Sequence, residues 1–261
     1  MQVQNLFSLD GKVALVTGGG RGIGRFIARG LAEAGADVAT GSRKIQNCRD
    51  AAEELKKLGI RALAVQCDMA KIEDLEKLVA STLDAFGRID ILVNNAGINP
   101  MAPTLEFPAD KWDRVMAVNV RAPFFLCQKV AKIMKGQGGG KIINIASVNG
   151  LKGSPEETHP NIAYNTSKGA LINMTKDLAI KLAGSNIQVN AIAVGYFRTD
   201  MTAKLDLDEF KALKERLIKG IPLGRSGGEE DIKGVALLLA SAASDYVSGA
   251  IIPVDGGLSA Q

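Results

Sequence analysis

The sequence predicts a doubly wound α/β fold, in which one parallel sheet of seven strands carries helices on both faces. Three observations lead there. Short apolar runs of strand length alternate with helix-length segments from end to end, the first run is followed at once by a glycine-rich turn, and no repeat, low-complexity block or long linker breaks the order. Residues 12–16 (Lys-Val-Ala-Leu-Val) read as a buried strand, 23–34 as the helix after the glycine turn, and 36–40 as the second strand. Helical patterns follow over 48–58, 72–86, 111–135, 163–182 and 230–239, and between them lie the β-rich runs 62–67, 89–93, 141–145, 187–193 and 250–254. The least regular stretch, about 197–220, is rich in charge and follows the sixth strand, where a cover over a ligand crevice is expected.

The chain has 261 residues, 46% of them hydrophobic and 23% charged, which is ordinary globular composition and enough length for one large core. A single domain over residues 1–261 is expected. The longest apolar stretches are strand-sized and the first residues lack a basic segment followed by an apolar run, so neither a membrane span nor a secretory signal is expected. Cys48, Cys67 and Cys127 are odd in number, widely spaced and without clustered histidines. That argues against a disulfide framework and a zinc site, and fits a reducing cytoplasm. The net charge is +4, but basic residues alternate with acidic ones rather than forming a stripe, so nucleic acid is not an expected partner.

Thr17-Gly18-Gly19-Gly20-Arg21-Gly22-Ile23-Gly24 directly follows the first strand and opens the first long helix, the context in which a glycine cluster points to a dinucleotide. The glycines allow a sharp turn and close approach to a pyrophosphate, whose charge then lies at the positive end of the helix dipole. An acidic residue at the end of the second strand would accept the adenosine ribose hydroxyls and repel a 2′-phosphate. Here that position reads Ser42-Arg43-Lys44, and the nearest acid, Asp37, stands at the strand's beginning. Arg43, with Ser42 and Arg21, suits a 2′-phosphate, so NADP(H) is favoured over NAD(H).

Tyr164-Asn165-Thr166-Ser167-Lys168 places a phenol and an ammonium four residues apart on one helical face. A tyrosine titrates near ~10, so acid-base work near neutrality asks for a depression of ~2 to 3 units. An ammonium about 4 Å away, at an effective dielectric of about 20, interacts with a phenolate by about 4 kcal/mol. Lys168 is therefore expected to lower the Tyr164 pKa.

With the glycine turn, the segment Asn94-Asn95-Ala96-Gly97 after the central strand and the Tyr164/Lys168 pair, the chain resembles the short-chain dehydrogenases/reductases, which have a single-domain Rossmann-type fold. The resemblance spans nearly the whole chain and includes Asp68, Asn119, Ser147 and the closing Val254-Asp255-Gly256-Gly257. It implies a metal-free hydride transfer between a nicotinamide and a carbonyl or secondary alcohol. Tyr164 would be the general acid-base, Ser147 would hold the substrate oxygen, Lys168 would bind the nicotinamide ribose, and Asn119 would position a water that relays protons from Lys168. Gly18, Arg21, Gly22, Ile23 and Gly24 would cradle the pyrophosphate, Asp68 and Met69 would flank the adenine, Asn95, Ala96 and Gly97 would contact the ribose region, and Gly195, Phe197 and Thr199 the carboxamide. It also implies a homotetramer built on the helices around 111–135 and 163–182 and on the C-terminal segment. A sensor that had lost catalysis would show damage at Tyr164, Lys168 or Ser147, and all three are intact.

Two features depart from the family pattern. Val194-Gly195 stands where Pro-Gly is usual, which removes a fixed φ at the expected nicotinamide shelf. The stretch between Ser147 and Tyr164 is also longer than usual, the extra material lying near 154–160, and that loop should border the substrate pocket. His159, the one histidine, lies in this Pro-flanked loop and reads as a surface or substrate-edge residue. The expected substrate is a small-molecule or thioester-bound carbonyl. A 3-oxoacyl thioester on a carrier protein or CoA comes first, and a gluconate, sugar or polyol is the alternative suggested by the longer loop and the residues around Tyr164. Lys204, Lys211, Lys214, Arg216 and Lys219 on the cover would suit an acidic carrier, but Asp206, Asp208, Glu209 and Glu215 interleave with them and read better as a mixed solvated helix.

Overall fold

A computed structural model describes residues 2–157, 159–199 and 211–261, with side chains in the last segment from residue 214 onward. Seven strands form one sheet: β1 (Val13–Thr17), β2 (Asp37–Ser42), β3 (Ala62–Gln66), β4 (Ile91–Asn94), β5 (Gly140–Ser147), β6 (Ile187–Val194) and β7 (Ile251–Val254). All are parallel, in the order β3-β2-β1-β4-β5-β6-β7. β1 and β4 are buried along their full length, as continuous apolar strands covered on both faces must be.

The helices are α1 (Val3–Leu6), α2 (Gly22–Glu33), α3 (Ile45–Lys56), α4 (Ile72–Phe86), α5 (Ala109–Met116), α6 (Ala122–Gln137), α7 (Ile162–Leu182), α8 (Lys211–Lys219) and α9 (Glu229–Ala240). One core layer gathers Ile27 and Leu31 of α2, Leu55 of α3, and Ile232 and Leu239 of α9. The other gathers Leu75 and Leu78 of α4, Leu126 and Val130 of α6, and Ala179 of α7. The strand order reverses between β1 and β4, and a crevice opens at the carboxyl ends of these strands, where doubly wound sheets bind ligands.

Two differences from the expected elements bear on the site. The helix expected over 111–135 is three pieces: α5, a π-helical turn at Ala117–Arg121, and α6. Pro123 is the physical reason. It has no N–H to offer the carbonyl of Asn119 four residues earlier and its ring crowds that carbonyl, so the chain widens and the Ala122 N–H reaches Ala117 instead. The expected cover over 197–220 contains α8, but residues 200–210, including Lys204, Asp206, Asp208 and Glu209, and the side chain of Lys211 lie outside the described residues.

Candidate active site

The glycine turn is braced from below. Thr17 Oγ1 accepts the N–H groups of Asn95 and Ala96 at 2.9 and 3.0 Å, tying the end of β1 to the end of β4. Asn95 Nδ2 donates to Thr17 O at 2.9 Å and fills the space beneath Gly24, where a Cβ would stand 2.3 Å from it. Only glycine fits there. Gly18 (φ +67°) and Gly22 (φ +54°) adopt the left-handed backbone the turn requires. Arg21 enters α2 in an extended conformation without a side-chain cap, which leaves the first-turn N–H groups and the positive helix end free for an anion.

The crevice above this turn has a volume of about 440 Å³. The predicted Gly18, Arg21, Gly22, Ile23, Gly24, Ser42, Arg43, Asp68, Met69, Asn95, Ala96, Gly97, Tyr164, Lys168 and Thr199 all line it. Its adenosine end gathers the exposed Arg21, Arg43 and Lys44. Ser42 Oγ donates to Lys44 O at 3.0 Å, holding the turn that presents the two cations. Asp37 is turned to the opposite end of the sheet, where both its oxygens bind Arg61. These residues fit a phosphorylated dinucleotide: an uncapped helix end, a glycine cradle that a Cβ would fill, and cations with no acid opposing them at the end of β2. Lys44, Asn47, Cys67, Ile98 and Val118 also line the crevice and were missed in the sequence. Lys44 was legible as the neighbour of Arg43; the others reach the crevice only through packing, as Asn47 does against Gly20.

At the other end stand the residues expected to react. α7 lays Tyr164 and Lys168 on the face toward β5, which ends at Ser147. Ser147 Oγ accepts the Asn149 N–H at 3.2 Å, so its own proton is free to turn to the Tyr164 phenol, with which it hydrogen-bonds. Lys168 is 4% exposed; its Nζ donates to Ile145 O at 2.6 Å and lies 5.5 Å from the Tyr164 ring centroid.

The titration behaviour corrects one expectation. Burial pushes the Tyr164 phenol above its ordinary range, the Ser147 hydrogen bond opposing it, and burial lowers Lys168 to about 8. The expected depression by Lys168 does not emerge: its ammonium donates to the Ile145 carbonyl and lies 5.5 Å from the ring centroid, and desolvation decides both shifts.

Three predicted residues take other places. Asn119 binds Ile98 N–H and Ile98 O at 2.9 and 3.0 Å and Ser167 Oγ at 3.0 Å, so its amide is fully engaged in joining the chain after β4 to α7. Its main-chain carbonyl is the one to which Pro123 offers no N–H. Phe197 is not on the crevice: its ring is buried in the core against Gly227, where a Cβ would stand 2.7 Å from it. Gly195 bonds to Val254 O at 3.0 Å, and a Cβ on it would stand 2.6 Å from Asp255 Cβ, so it serves the approach of β7. His159 is half-buried in the loop before α7, with its imidazole pKa lowered by burial. Among the described residues no group of three His, Cys, Asp or Glu side chains is placed to hold a metal ion, and no helix is long and apolar enough to cross a membrane.

A dinucleotide crevice ending in a Ser-Tyr-Lys constellation defines a class of oxidoreductase, and the comparisons give the family. Residues 18–259 match the family described as enoyl-(acyl carrier protein) reductase. The chain is 42% identical over 256 residues to the 2-dehydro-3-deoxy-D-gluconate 5-dehydrogenase of Dickeya dadantii, covering 98% of each. It is 38% identical over 250 residues to the 3-oxoacyl-[acyl-carrier-protein] reductase of Thermotoga maritima, covering 96% of this chain and 98% of that one. A crystal structure of a gluconate 5-dehydrogenase from Burkholderia cenocepacia J2315, in complex with NADP and tartrate, superposes with a TM-score of 0.91 at 39% identity, covering 100% of both chains. The chain belongs to the short-chain dehydrogenase/reductase family, and it is an oxidoreductase acting on CH–OH and C=O groups.

Proposed function

We propose that this enzyme interconverts a ketone and a secondary alcohol on a sugar acid of the gluconate type, with NADP(H) as cofactor. The observation that carries the reading is the order of the relatives. The relative named for a gluconate derivative is 42% identical at near-full length, and the one named for 3-oxoacyl thioesters is 38% identical. This reverses the order given by the family resemblance, which put the thioester first. A polar substrate is also supported by three buried side-chain oxygens without a hydrogen-bond partner, those of Asn99, Asn161 and Asn165, on the two segments that flank Tyr164. An unpaired buried acceptor costs about 1–3 kcal/mol, and hydroxyl groups or water are the donors that relieve it.

In the reductive direction the substrate oxygen sits between Ser147 and Tyr164. Ser147 donates a hydrogen bond to the carbonyl oxygen, and Tyr164 delivers its proton as negative charge develops there. The raised phenol pKa keeps that proton in place at neutral pH. Lys168 carries the positive charge that offsets the phenolate left behind and holds the ribose hydroxyls, while the Asn119 carbonyl, which receives no N–H from Pro123, holds the water that returns a proton to Lys168. Arg21, Arg43 and Lys44 hold the 2′-phosphate, and a bound nicotinamide supplies the hydride. The working form is a homotetramer, supported by exposed apolar side chains on α6 (Phe124), on α7 (Ile180, 80% exposed) and beside the last strand (Leu223, 68%; Tyr246, 105%).

The direct test is NADPH oxidation with 5-keto-D-gluconate and NADP reduction with gluconate, beside acetoacetyl-CoA and both cofactors. Turnover of acetoacetyl-CoA with none of either sugar acid overturns the substrate reading, and a clear preference for NAD overturns the cofactor reading. Tyr164→Phe is expected to remove orders of magnitude of turnover while NADPH still binds.

A further inference from the structure

The two segments that flank Tyr164 are tied to each other. The chain leaving β4 passes the crevice at Ile98 and turns at Thr104–Glu106, a 3₁₀ turn; the chain leaving β5 includes the described residues 151–157 and 159–161 before α7 begins at Ile162. Glu156 of the second binds Thr104 of the first with both carboxylate oxygens. Oε1 accepts the Thr104 N–H at 2.7 Å and Oε2 accepts the Thr104 hydroxyl at 2.6 Å. The Ala102 N–H donates to Pro160 O at 2.9 Å alongside. The loop is also fastened to the helix beside the phenol, Asn165 Nδ2 donating to Ser154 Oγ at 2.9 Å.

Glu156 and Ser154 lie in the loop before α7 that the resemblance marks as longer than usual. The bidentate carboxylate satisfies the first free N–H of the 3₁₀ turn and is charge-assisted, between two side chains at the surface.

We propose that the Glu156–Thr104 clamp determines substrate specificity: it closes the substrate side of the crevice into a short walled pocket that admits a compact, hydroxylated carbonyl compound and excludes one carried on a long thioester arm. The inference rests on the placement of the substrate oxygen between Ser147 and Tyr164 proposed above. Glu156 and Thr104 touch neither that oxygen nor the cofactor crevice residues, so they are positioning residues, acting through the wall they hold.

The experiment compares wild type with Glu156→Ala, Glu156→Gln and Thr104→Val, reading NADPH affinity, KM and kcat with 5-keto-D-gluconate, and the ratio of kcat/KM for acetoacetyl-CoA over ethyl acetoacetate, which present the same carbonyl with and without the long arm. Glu156→Ala is expected to leave NADPH affinity unchanged, to raise KM for 5-keto-D-gluconate by about tenfold with kcat within a few-fold, and to raise the ratio by about tenfold. Thr104→Val moves the same way by less. Glu156→Gln, whose amide oxygen accepts from the N–H and whose amide nitrogen donates to the hydroxyl, stays near wild type. The proposal is overturned by a wild type that already prefers acetoacetyl-CoA, by an unchanged ratio in Glu156→Ala, by a Glu156→Ala enzyme that reduces neither ester, or by a parallel loss of NADPH affinity. A wild type inactive on 5-keto-D-gluconate sinks the sugar-acid reading alone, because the ratio on the two esters still reads the clamp.

Discussion

Lys168 shows what burial does to a charged residue at the proposed site. Its folded pKa, about 8, lies below the ordinary lysine value, so the unfolded chain binds the extra proton between about pH 8 and ~10.4. The cost of burying the ammonium is therefore present in full below about 8 and shrinks as pH rises toward ~10.4. Measured by urea unfolding, the stability of wild type relative to Lys168→Met should rise by about 2 kcal/mol between pH 7 and pH 10; a gap independent of pH would contradict the burial of a charged lysine. The same group sets an activity limb. Reductive kcat/KM should fall as pH rises through about 8, and Lys168→Arg, which stays charged, should carry its remaining activity to higher pH. At the other end of the crevice, Arg43→Asp should weaken NADPH binding by about tenfold or more and swing the preference toward NADH, read as the ratio of Michaelis constants.

Among the elements, the π turn at Ala117–Arg121 has the most to say, because one residue causes it and another uses it. Pro123→Ala restores an N–H facing the Asn119 carbonyl and allows the turn to close to an ordinary α-helix. Overall stability should change by less than about 1 kcal/mol, the lost turn being offset by a regained hydrogen bond, while turnover falls by about tenfold through displacement of Asn119. Full activity in Pro123→Ala would remove the released carbonyl from the proton path. The spacing of Asn119 and Pro123 was present in the sequence, but helical periodicity over 111–135 masked the break. The pattern of apolar residues persists through a π turn, and only the hydrogen bonds reveal it. Phe197 makes the complementary point: its neighbours in sequence border the cofactor end, yet its ring turns to the core because Gly227 leaves room for it there.

Across the whole molecule, Phe124 on α6, Ile180 on α7, and Leu223 and Tyr246 beside β7 are among the apolar side chains left uncovered in one chain. Static light scattering should give the mass of four chains. Joint replacement of Leu223 and Tyr246 by Asp should reduce it to a smaller assembly with an unchanged far-UV spectrum, and a wild-type monomer would overturn the tetramer. Much of the fold was legible beforehand because its signals are local. Strand-length apolar runs, the glycine turn between β1 and α2, and the four-residue spacing of Tyr164 and Lys168 each depend on backbone geometry within one or two elements. The sequence by itself thus determined the order of the layers, the placing of a crevice at the ends of β1 and β4, and part of its lining, the glycine turn with Arg43, Tyr164 and Lys168. Only the tertiary structure decided the rest: the direction of the Tyr164 and Lys168 shifts, the engagement of the Asn119 amide and the clamp from Glu156 to Thr104. Desolvation and hydrogen bonds between segments far apart in the chain arise only once the chain is folded, and no periodicity encodes them.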